Sequence, residues 1–76
     1  MNKKQLISAI ADTDHFETKK AAGEFLEDFI KIVTDTVSKG EEVRITDFGK
    51  FEVFTLSNGT KVPKFRPYLG LKTKVA

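Results

Sequence analysis

A chain of 76 residues is one small domain and no more, and with no cysteine it holds neither a disulfide nor a thiolate metal site. Its one histidine, His15, makes a structural zinc site implausible; no apolar run approaches the ~20 residues that cross a bilayer, and no signal peptide opens the chain. The formal charge is only +2, yet acids crowd the middle (Glu24, Glu27, Asp28, Asp35, Glu41, Glu42, Asp47), while from Lys50 onward Glu52 alone faces Lys50, Lys61, Lys64, Arg66, Lys72 and Lys74.

The first predicted element is a helix over about residues 3–12, with Leu6, Ile7 and Ile10 on one face. Asn2 is placed to cap it, and Asp12, Thr13 and Asp14 supply the turn that ends it. Phe16 then stands where a hydrophobic staple would, ahead of a second helix over about residues 18–38. That helix stops at Gly40, a residue suited to the left-handed C′ position, with Lys39 at the negative end of the dipole. Its apolar positions are Ala21, Ala22, Phe25, Leu26, Phe29, Ile30, Ile32, Val33 and Val37. The stripe is wider than one sheet face needs, which points to contact with both a sheet and a partner subunit; a bundle core in a larger complex is the alternative. Size argues the same way, since below roughly 70–80 residues a core needs a staple, and oligomerisation is the one left.

Three strands follow, over about residues 42–46, 50–56 and 60–65. Val43 and Ile45 alternate with Arg44 and Thr46, giving one apolar and one polar, basic face. Asp47-Phe48-Gly49 is the first turn, with Gly49 read as a position needing φ > 0. Asn58-Gly59 predicts a tight type I′ hairpin, and Pro63 confines the third strand to an edge or a bulge. Pro67 is placed to open a last helix over about residues 67–75, with Tyr68, Leu71 and Val75 on one face and Gly70 weakening it. The fold class is α+β, in the order α-α-β-β-β-α, as a single domain spanning residues 1–76.

The chemistry of an enzyme is missing. There is no Gly-rich phosphate loop, nucleophile elbow or metal spacing, and His15 reads as a solvated loop residue. No cofactor, small-molecule substrate or membrane is implied. The basic C-terminal third, with Lys3 and Lys4 at the start, points instead to an anionic partner; lysines guarding a solvated strand edge are the alternative.

Three stretches carry a resemblance. Met1 to Ala11 (Met-Asn-Lys-Lys-Gln-Leu-Ile-Ser-Ala-Ile-Ala), Lys39 to Phe51 with its Phe-Gly-x-Phe turn, and Val62 to Pro67 (Val-Pro-Lys-Phe-Arg-Pro) followed by Leu71-Lys72 and Val75 are similar to the bacterial histone-like HU and IHF proteins. The resemblance implies an intertwined dimer with a helical base, a small antiparallel β saddle and two β-ribbon arms that reach into the DNA minor groove. A proline at each arm tip wedges between base steps there. It also implies a cytoplasmic, nucleoid-associated role in bacteria or phage, in DNA condensation.

The chain departs from that pattern at the arm. By alignment, family members carry about fifteen further residues between the second and third strands, with an Arg-Asn-Pro tip that supplies the wedge. Here Ser57-Asn58-Gly59-Thr60 closes the strands, and Tyr68-Leu69 stands where the family often has Gly-Lys. The positions that match the family's DNA-binding body are Lys3, Arg44, Thr46, Gly49, Lys50, Arg66 and Lys72. Phe54, Leu56 and Tyr68 are read as core packing in preference to an exposed apolar patch. The expected function is sequence-independent, architectural binding of duplex DNA through a basic saddle, with weak bending. The alternative is a protein-interaction module that pairs with or antagonises a full-length HU-like protein. The expected assembly is a homodimer, or a heterodimer with such a relative.

Overall fold

The structure, a computed structural model, describes residues 1–75. Its elements are α1 (Lys3–Ala11), α2 (Lys19–Ser38), β1 (Val43–Ile45), β2 (Gly49–Thr55), β3 (Lys61–Pro67) and α3 (Leu69–Val75). Two compact units divide the chain within α2, one of residues Met1–Ile32 and one that begins at Val33.

The first unit is α1 and most of α2. Asn2 starts α1 with a full capping box. Its Oδ1 accepts the Gln5 N–H at 2.9 Å, and Gln5 Oε1 accepts the Asn2 N–H at 2.9 Å. Thr18 lies outside α2 as its cap, with Oγ1 accepting the Ala21 N–H at 3.0 Å. The Phe16 ring packs on Phe25, one turn beyond the expected staple position, with centroids 5.3 Å apart. Ile7 comes to Gly23 at ordinary van der Waals distance, so the small residue is where α1 meets α2. Ala22 and Leu26 are the buried apolar residues here, while Leu6, Phe25, Phe29, Ile30 and Ile32 stay exposed.

The second unit opens with the end of α2. Gly40 takes φ +85° and donates to Val37 O at 2.9 Å, and the Glu41 N–H reaches Thr36 O at 3.2 Å. These two bonds make a Schellman stop, the role expected of Gly40. The sheet is antiparallel in the order β1-β2-β3. Register places Val43, Phe51 and Phe65 in one cross-strand row and Val53 opposite Pro63, on a face that α2's last turns flank. Between them lies a cleft of about 540 Å³ lined by Val33, Val37, Phe51, Val53 and Phe65. β3 is an edge strand, which accounts for Pro63 without a bulge.

Three local expectations are corrected. Gly49 does not take positive φ; Asp47 does, at 69°. Gly49 is instead the buried first residue of β2, where a Cβ would lie 2.5 Å from the Phe65 ring and 2.6 Å from Arg66 O. That close approach lets β3 run past Phe65 to Pro67, which pairs with Gly49, and the Tyr68 N–H then binds Phe48 O at 3.1 Å. Pro67 therefore ends a strand rather than opening a helix; α3 starts at Leu69, with Tyr68 O accepting the Leu71 and Lys72 N–H groups. The β2–β3 turn is not type I′ either. Only Gly59 has positive φ (89°), the Gly59 N–H binds Leu56 O, and the Leu56 N–H binds Thr60 O at 2.7 Å. This is a three-residue loop with a left-handed glycine, and Asn58 serves it through its side chain, which accepts the Thr60 N–H.

Candidate nucleic-acid interface

The sheet's second face carries the charge. Because side chains alternate, the register that pairs Arg44 with Lys50 and Lys50 with Arg66 sets those three cations in one row across all three strands. Glu52 and Lys64 pair in the next row, and Phe54 and Val62 in the one after. So the face is basic at one end and apolar toward the hairpin tip.

Two carboxylates thread the basic row. Glu42 holds Arg44 Nη2 at 2.5 Å and lies 3.7 Å from Lys50 Nζ, while Glu52 lies 3.4 Å from Lys50 Nζ and 2.8 Å from Arg66 Nε. The Arg44 hydrogen bond and charge hold the Glu42 carboxyl below the usual carboxylate range, and the same contact pushes Arg44 up. Both guanidiniums remain open to solvent, with side chains 61% and 60% exposed, against 26% for Lys50 and 17% for Glu52. Exposed pairs of this kind are worth little, on the order of 0–1 kcal/mol, so a phosphate can displace a carboxylate from either arginine. Glu52 is the more firmly lodged, since its Oε1 is buried and makes no well-aligned hydrogen bond.

The structure thus gathers three of the sequence-predicted site residues, Arg44, Lys50 and Arg66. Thr46 is exposed in the turn after β1. Gly49 loses the premise of an open turn offering N–H groups, because it is buried against Phe65 and Arg66. Lys72 lies in α3, exposed beside Phe65, Pro67, Leu71 and Val75. Lys3 stands in the first unit, where it pairs with Glu27.

Sequence reasoning missed Lys64, and it misassigned Phe54. The reading of Phe54 as core packing does not hold: it shares the charged face, with Lys64 Nζ 4.8 Å and Arg66 Cζ 5.3 Å from its ring centroid. The i, i+2 series Lys50, Glu52, Phe54 was the available signal for both.

Residues 1–58 match the family of the bacterial DNA-binding protein. The chain belongs to this family. Within the HU branch, it is 35% identical over 91 residues to DNA-binding protein HU-beta 2 of Neisseria meningitidis, covering 99% of this chain and 98% of the relative. It is 31% identical over 90 residues to DNA-binding protein HU of Helicobacter pylori, covering 99% and 96%. Among solved structures, HU from Thermotoga maritima superposes with a TM-score of 0.84 at 39% identity, over 100% of both chains. An Anabaena HU–DNA cocrystal structure superposes with 0.86 at 28% identity, over 100% of this chain and 98% of that one. The fold is accordingly HU-like α+β, and the family is one of DNA-binding proteins rather than enzymes. Among the described residues, no helix is long and apolar enough to cross a membrane.

Proposed function

We propose that this HU-family chain is an architectural, nucleoid-associated protein that binds duplex DNA through its backbone, without reading sequence, and bends it weakly. The observation that carries the reading is the Arg44–Lys50–Arg66 row on a face with two open guanidiniums. Cations spaced across three strands suit phosphates, and backbone contacts fix position without carrying base information. Lys64, Lys3, Thr46 and Lys72 are further contacts in this proposal; Gly49 serves it by fixing the β2–β3 register.

Weak bending follows from the short hairpin. The family match ends at Asn58, within the β2–β3 turn, and the Neisseria alignment runs over 91 residues against 76 in this chain. Both support an arm shortened relative to HU. Without a wedge or a wrapping ribbon, little offsets the elastic cost of a bend.

The working unit is proposed to be a homodimer. Phe25, Phe29, Ile30 and Ile32 on α2 are exposed in the single chain, and the apolar sheet face borders an open cleft. A second reading, a module that pairs with a full-length relative and antagonises it, is favoured by Glu42 and Glu52 partly neutralising the row.

The test is titration of two unrelated duplexes, with end-to-end fluorescence transfer reporting bending. Equal affinities in the range of about 10⁻⁴–10⁻⁶ M at physiological salt and unchanged end-to-end distance are expected. A sharp bend, or an intact dimer that binds neither duplex at low salt, overturns the reading, and the second outcome transfers it to the protein-interaction module.

A further inference from the structure

We propose that Phe54 is a stacking platform for an unpaired base, so that the basic face also takes single-stranded nucleic acid; this rests on that face being a phosphate-binding surface. Phe54 lies one cross-strand row beyond the Glu52–Lys64 pair and two beyond Lys50–Arg66. Its own cross-strand neighbour is Val62, and Leu56, two residues further along, is exposed. An aromatic and aliphatic patch therefore continues the row of cations toward the hairpin tip.

The cations are coupled to that patch. Lys64 Nζ and Arg66 Cζ both stand over the Phe54 ring, at 4.8 Å and 5.3 Å from its centroid. The ligand that matches such a site joins a flat apolar group to negative charge at short range. A nucleotide does so: its base stacks on an aromatic face while its phosphates take the flanking cations, the arrangement that non-specific single-strand binders use. A protein partner would need an apolar side chain framed by acids. The charge around the ring favours the nucleotide, whose phosphates accompany every base.

An intact duplex cannot use this platform, because its base faces are buried in the stack. Phe54 is thus idle on duplex DNA and engaged on a single strand. Stacking tolerates any base, and no side chain here is placed to read a 2′-hydroxyl, so DNA and RNA strands are taken alike.

The experiment uses the full chain and labelled 15-mers, followed by anisotropy: oligo-dT, oligo-rU, an abasic phosphodiester chain of equal length, and a duplex. The wild type binds oligo-dT and oligo-rU equally, and each at least roughly fivefold tighter than the abasic chain. Phe54→Leu keeps an apolar side chain without the ring face; it abolishes that preference for bases and leaves duplex affinity unchanged. Phe54→Tyr, which restores a ring, retains it and guards against a folding artefact. Equal wild-type binding to oligo-dT and the abasic chain overturns the stacking proposal and leaves the duplex reading standing, with the patch then assigned to a protein partner. Loss of duplex and single-strand binding together in the wild type overturns both.

Discussion

Gly49 and Glu52 show how much one side chain decides in this sheet. At Gly49 the added Cβ of Gly49→Ala would meet a backbone oxygen at 2.6 Å as well as the Phe65 ring. The ring can turn, but the Arg66 carbonyl can retreat only by moving β3. Overpacking of this kind costs about 1–3 kcal/mol, so Gly49→Ala should unfold at lower urea than the wild type at equal protein concentration, with an unchanged slope. An unchanged midpoint would mean that β3 is free to shift. Glu52 acts on charge rather than space. It lies within 2.8 Å of Arg66 and 3.4 Å of Lys50, so Glu52→Gln releases both for phosphates. Duplex affinity at low salt should rise several-fold, and a fall would mean that Glu52 orients the cations instead of neutralising them. Gly49 was conspicuous in the sequence, but for the wrong reason. A glycine after Asp-Phe reads as a turn, and nothing local announces that the crowding comes from Phe65 and Arg66, sixteen and seventeen residues away.

At the level of elements, capping chemistry was legible and tertiary extension was not. Asn2 and Gly40 end their helices as their side-chain chemistry dictates, because a cap depends on its own few neighbours. The boundary at Pro67 depends on Phe48 and Gly49, so a helix-opening proline and a strand-ending proline look identical in the sequence. The β2–β3 loop lies between these cases: the right residues turn, in a three-residue loop with only Gly59 left-handed. Gly59→Val puts a β-branched residue at φ 89° and should cost about 1–3 kcal/mol. The variant should melt lower and bind duplex as before at a temperature where it is folded. Unchanged melting would mean that the loop relaxes to another turn at no cost. The basic row was partly legible in the same way. Arg44 stood out by alternation within one strand, whereas its alignment with Lys50 and Arg66 needed the register of both strand pairs.

For the whole molecule, exposed apolar surface and charge lead to separate expectations. Phe25, Phe29, Ile30 and Ile32 are exposed on α2 of the single chain, more than a lone small domain leaves to water along one helix. If a second copy covers them, stability depends on protomer concentration, and the melting temperature should rise with dilution reversed over the micromolar range. A concentration-independent melt with a monomeric mass in light scattering would contradict the dimer. The central claim, that the Arg44–Lys50–Arg66 row holds duplex phosphates, is tested most directly by the salt dependence of duplex binding. Each phosphate neutralised lowers log K by about 0.9 per unit of log salt, so a dimer using the row on both subunits should give a slope near about −5. Replacing Arg44, Lys50 and Arg66 together by Gln should flatten that slope to near zero with the fold intact, while Phe54→Leu leaves it as it was. A steep slope that survives the triple replacement would contradict the account, because the phosphates would then be held elsewhere.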